Sequence, residues 1–129
     1  MNLSITRRHW ARLLLLAALG LAAGAHAAPS AAEQARIDKL IDAVAANAEM
    51  KFIRNGSEYT PAQAGKFLRG KMNSMGGEVT TCEDFIERIA SRSSTSGKDY
   101  QVKMSDGKMM PSGEFMRQEL ARLERKNKY

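Results

Sequence analysis

One local signature recurs three times in this chain: a hydroxyl residue, then three places later a side chain able to reach back to the free backbone N–H. The three are Ser30-Ala-Ala-Glu33, Thr60-Pro-Ala-Gln63 and Thr80-Thr-Cys-Glu83. Such boxes satisfy donors that the first turn of a helix leaves unpaired, so each marks a helix start. Apolar residues at helical spacing follow every one. After the first, Ile37, Leu40, Ile41, Val44 and Ala48 form a stripe opposite Arg36, Asp38, Lys39 and Asp42. After the second, Ala64, Phe67, Leu68, Met72 and Met75 repeat the pattern, with Pro61 in the first turn and Gly76-Gly77 as the stop. The third helix is short and turns Phe85, Ile86, Ile89 and Ala90 inward. A fourth follows Pro111-Ser112, aligning Met116, Leu120 and Leu123 and ending on basic residues that suit the negative helix end.

Two segments break the helical period. Lys51-Phe52-Ile53-Arg54 is short and apolar-centred, and Asn55-Gly56 then supplies a turn that hands it to the helix capped by Thr60. Tyr100 to Met104 alternates and reaches Asp106-Gly107 before Lys108-Met109-Met110, the stronger hairpin signal, read as a two-residue turn. The expected class is α+β, mostly α: about four amphipathic helices packed with a small two- or three-stranded antiparallel sheet.

Residues 1–27 have the form of a cleaved signal peptide. Arg7, Arg8 and Arg12 give a positive start, Leu13 to Ala23 an apolar stretch, and Ala25-His26-Ala27 a small-x-small site for cleavage after Ala27. The apolar stretch is too short for a bilayer of about 30 Å. Removing 27 of 129 residues leaves 102, read as a single small globular domain over residues 28–129. The three leader arginines leave with it, so 20 Lys and Arg become 17 against 14 acids, a net +3. That charge is scattered and forms no nucleic-acid arm, but it favours anionic envelope surfaces.

His9 and His26 both lie in the expected leader, so the body has no imidazole for a catalytic triad, a zinc site or a haem. Cys82 is the lone cysteine, and no disulfide can form within the chain. An enzyme would need carboxylates, such as Glu58 with Glu83 or Asp84 in a glycan hydrolase. Met72, Met75 and Cys82 would suit a soft metal, although methionines at these spacings equally fill a core. The loop Arg92-Ser93-Ser94-Thr95-Ser96-Gly97-Lys98 lacks the phosphate-loop pattern, yet its backbone and hydroxyl donors and its two cations suit an anion.

Two blocks, "FIRNGSEYTPAQAGKFLRGKM" and "TTCEDFIERIASRSSTSGKDYQV", resemble the YfeK-like family of small exported bacterial proteins, a domain of unknown function, DUF5329. The resemblance runs from about the first helix to "SGEFMRQEL". The chain departs from the family pattern at Asp99, Phe115-Met116 and Cys82, the last of which undercuts essential thiol chemistry. The resemblance implies no reaction. It draws attention to Arg54, Asn55, Glu58, Tyr59, Lys71, Glu83, Asp84, Ser91, Ser93, Ser94 and Ser96, to which the loop adds Lys98. Either Arg54 pairs with an acid such as Glu83 or Asp84 in a structural network, or the Asn55–Tyr59 turn and the serine loop converge on one recognition surface.

The function expected is therefore a monomeric, non-catalytic periplasmic binding or accessory module, with no cofactor or metal. Its partner would be an envelope protein or an anionic envelope ligand, with no nucleic acid and no stable membrane insertion after cleavage. The alternatives are a carboxylate-dependent envelope glycan hydrolase and a methionine-based soft-metal carrier.

Overall fold

The computed structural model describes residues 28–128, so the expected leader and its cleavage point lie outside the described residues. The first capping box is only half made: Ser30 accepts the Glu33 N–H and starts α1, Ala31–Ala46. The Glu33 carboxylate turns away to Arg36 and to the backbone N–H of Cys82. Thr60 and Gln63 form the complete reciprocal box at the start of α2, Pro61–Met75. The third start is shifted by one residue from the sequence reading. Thr81 is the cap of α3, Cys82–Phe85, accepting from Asp84 N–H, while the Asp84 carboxylate reaches back to Thr80 N–H and hydroxyl. From Ile86 to Ala90 that helix widens into a π-helical turn. The last helix, α4, Ser112–Lys126, has no side-chain cap.

Four strands, not two or three, form an antiparallel sheet in the order β2-β1-β3-β4. They are β1, Met50–Arg54; β2, Ser57–Tyr59; β3, Gln101–Met104; and β4, Met109–Pro111. Asn55 and Gly56 adopt φ of 49° and 83° between the paired residues Arg54 and Ser57. Those two positive values make the two-residue hairpin turn with the twist strands prefer, and create the unforeseen β2. At the second hairpin only Gly107 is left-handed, with Gly107 N–H donating to the Met104 carbonyl. That is the longer connection in which one glycine ends the turn, rather than a two-residue turn.

One sheet face, carrying Met50, Phe52 and Val102, closes on the helices, and Ile37, Leu40, Ile41, Val44, Leu68, Phe85, Ile86, Ile89 and Met116 fill the shared core. Gly65 lets α1 and α2 approach closely, since a Cβ there would sit 2.8 Å from that of Ala45. Two residues expected in the core are outside it: α1 ends before Ala48, which is exposed, and Met75 is 53% exposed. No described helix is long and apolar enough to cross a membrane.

Candidate functional site: a cationic groove along α2

Alternate residues of a strand share a face, so Arg54 follows Met50 and Phe52 toward the helices. Lying last in β1, it emerges at the edge of the core and lays its guanidinium over the Phe67 ring, 4.5 Å from the centroid. Phe52, Phe67 and Tyr100 pack as a trio with centroids 5.2 to 6.1 Å apart. One helical turn beyond Phe67, on the same face of α2, Lys71 turns inward. Lys71 is 7% exposed, and its Nζ donates to the Arg92 carbonyl at 2.8 Å and to the Tyr100 hydroxyl at 3.0 Å. An ammonium has three N–H groups, so one remains beyond these two bonds.

A groove of about 350 Å³ opens beside these residues. Its long wall is the α2 face carrying Lys66, Phe67, Gly70, Lys71, Ser74 and Met75, and its other walls are Arg54, Tyr100 and the loop residues Ser93, Ser94 and Thr95. Three cations line it and no carboxylate does. None of the ion pairs among the described residues involves Arg54, Lys66, Lys71, Arg92 or Lys98. Burial holds the Lys71 amine below its usual range, and the nearby Arg54 charge lowers it further. Burial also raises the Tyr100 phenol, with Arg54 working against it. Two like charges partly removed from water thus share one groove, relieved by ring faces, a carbonyl and a phenol.

The turn and the serine loop do meet. Asn55 donates to Ser93 Oγ at 3.4 Å and accepts from Ser96 Oγ at 2.7 Å. Ser93, 4% exposed, organises the loop internally: its Oγ accepts the Thr95 and Ser96 N–H groups, while Ser96 Oγ accepts that of Lys98. The N–H groups of Ser93, Thr95, Ser96, Gly97 and Lys98 are thereby spoken for within the loop, and Ser94 and Thr95 line the groove. Ser94 also donates to the Met75 sulfur at 3.6 Å.

The remaining sequence-selected residues lie elsewhere. Glu58 is on the outer sheet face, paired with Lys103 at 3.1 Å beside a separate cleft, and Tyr59 packs against the core. Glu83 pairs with Arg36 at 2.8 Å and borders a third cleft, and Asp84 is spent on its cap. The expected pairing of Arg54 with either acid is therefore not made, because Phe67 takes the guanidinium and other cations or N–H groups take the acids. The same separation leaves Glu58 and Glu83 in different clefts rather than as a hydrolytic pair. Ser91 donates to the Ile86 carbonyl and packs under Gly113, and Lys98 is exposed off the groove wall. Cys82 is wholly buried, with its thiol pushed up to about 12 chiefly by burial, which denies the Met72, Met75 and Cys82 set its thiolate. Among the described residues no three His, Cys, Asp or Glu side chains cluster to hold a metal.

Sequence reasoning missed Lys66, Gly70, Ser74 and Tyr100, placed Thr95 in the anion loop, and assigned Phe67 to the core stripe and Met75 to that stripe or a soft-metal set. The available signal was spacing: Lys66, Gly70 and Ser74, and Phe67, Lys71 and Met75, each recur every four residues and so trace adjacent lines along one helix face.

A family profile described as "Family of unknown function (DUF5329)" matches residues 31–124. The chain is similar to "Uncharacterized protein YfeK" of Salmonella typhimurium (strain LT2), 37% identical over 83 residues, covering 64% of this chain and 69% of the relative. No solved structure matches significantly.

Proposed function

The chain belongs to the DUF5329 family, whose function is unknown, and on that premise we propose that it is a non-catalytic binding module whose α2 groove captures an anionic ligand. One observation carries this reading: the buried Lys71 and the adjacent Arg54 have no carboxylate in a groove that also offers hydroxyls. A cation left without a counterion in a partly dry site is costly, and an anion from outside removes that cost while taking the spare Lys71 N–H. Thr95 and Tyr100 carry further hydroxyls in the groove lining, while the Ser94 hydroxyl proton is given to the Met75 sulfur. The module works as a monomer in the bacterial periplasm after loss of residues 1–27.

Titration with phosphate, benzoate and decanoate at constant ionic strength, followed by amide NMR, tests the groove. Shifts gathered at Arg54, Gly70 and Ser94, and lost in an Arg54→Gln/Lys71→Met double variant, support it; no localised shift with any of the three anions refutes it. Export is tested separately by fractionation and N-terminal sequencing. A mature start at Ala28 in the periplasmic fraction is expected, and a cytosolic protein retaining His26 overturns that part.

A further inference from the structure

The groove has two unlike ends. Arg54 stands over Phe67 at the middle of α2, and Met75, 53% exposed, stands at its last turn with its sulfur held by Ser94. Between them lies Gly70. It is in a helix interior, where glycine is less favourable than alanine, and a Cβ added there would meet nothing within 4 Å. Neither close helix packing, as at Gly65, nor a positive φ accounts for it. What its missing side chain leaves is a flat-floored channel along α2, about 13 Å from Lys66 to Met75 at 1.5 Å per residue. Its cationic part is around Arg54 and Lys71; past Lys71 the last turn of the wall ends in a flexible thioether, a side chain that adapts to varied apolar shapes.

From this arrangement, and resting on the groove being the anion site, we infer that the ligand is a single-chain anionic amphiphile. Its charged head sits by Arg54 and Lys71, two groove-lining cations without an ion pair. Its alkyl chain crosses the bare backbone of Gly70 and ends against Met75. A small inorganic anion would use the cations and leave the Gly70 channel and the exposed Met75 without a role. A cationic amphiphile would be repelled by Arg54, Lys66 and Lys71.

Calorimetric titration of the purified protein with butanoate, hexanoate, octanoate and decanoate, all below micelle formation, reads the chain directly. Affinity is expected to rise about fourfold per methylene until the channel is filled. Decyl phosphate against decanoate distinguishes a phosphate from a carboxylate head, and decyltrimethylammonium reports whether the head charge is read. Gly70→Leu fills the channel and is expected to weaken decanoate at least tenfold; Gly70→Ala is expected to raise Tm, showing that the glycine is not kept for the fold. If phosphate or butanoate binds as tightly as decanoate, the groove remains an anion site and the amphiphile is wrong. Equal binding of decyltrimethylammonium, or Gly70→Leu binding decanoate unchanged, also overturns the amphiphile. If no anion of any length binds, both readings fall.

Discussion

Two cationic regions of this molecule treat charge in opposite ways. At one, Arg36 of α1 is bound by Glu33 of its own helix, by Glu83 of α3 and by Glu124 of α4, and Glu33 additionally accepts the Cys82 N–H. At the other, Arg54 and Lys71 have no acid at all. The chain therefore has carboxylates to spend and spends three on one guanidinium, which pins three helices together. The bonds to Glu83 and the other acids raise Arg36 far above its usual range, whereas burial and Arg54 lower Lys71. The first region is complete in itself; the second is left open, and an open cationic site beside a groove is what a receptor for an anion requires.

The largest test of this contrast is Arg36→Met. It releases three carboxylates beside one another and uncouples α4 from α1, and should cost about 2 kcal/mol by denaturant unfolding, between the worth of exposed and buried pairs. Lys71→Met should instead leave stability within about 1 kcal/mol, since the lost bonds are offset by relief of a buried charge, while decanoate affinity falls at least tenfold. A loss from Lys71→Met equal to that from Arg36→Met would show the groove cations to be structural. Ser94→Asp should make the second region resemble the first: a carboxylate at the groove mouth adds about 0.5 kcal/mol to stability and blocks anion binding.

Acidity separates the regions without mutation. The Arg36 hydrogen bond holds Glu83 below its ordinary 4.5, so its stabilisation is whole above that pH and drains away as pH falls through the lower folded value. Lys71 gives the same sign at the alkaline end: its folded value is below the ordinary 10.5, so the unfolded chain binds more protons there and this site adds stability as pH rises from the folded value toward 10.5. Over that same alkaline range the groove loses a cation, so anion affinity should decline. Thermal melts of wild type and Arg36→Met below pH 4.5, and anion titrations of wild type as pH rises toward 10.5, check the two ends. The smallest effect is expected at the outer sheet face, where Lys103→Ala breaks an exposed pair with Glu58 and should change stability by less than about 0.5 kcal/mol.

Much of the fold was legible because caps and turns act over three or four residues. Ser30 and Thr60 cap where the pattern put them, and Asn55-Gly56 makes the turn that the dipeptide demands. Errors arose where two local solutions compete. Thr80 and Thr81 both offer a hydroxyl, and only the position of Asp84 against Glu83, which Arg36 claims, selects Thr81. Met75 continues the apolar spacing of α2, but the core has ended by that turn. The site was legible only in part: Arg54, Lys71, Ser93 and Ser94 were singled out, while Gly70 and Tyr100 were not, because spacing along α2 marks a shared helix face but not the loop and strand that make it a groove wall.

By itself the sequence determined the elements: capped amphipathic helices, short strands with glycine turns, and a described body without histidine or a disulfide. Those follow from hydrogen bonds and burial periodicity that a short window contains. Only the tertiary structure decided which acid meets which cation. Residues 36, 83 and 124 are brought together by helix packing, and among the described residues the same packing leaves no carboxylate paired with Arg54 or Lys71 or lining their groove. Charge pairing acts across space rather than along the chain, so one list of ionisable residues fits either a fully neutralised surface or an open groove until the helices are in place.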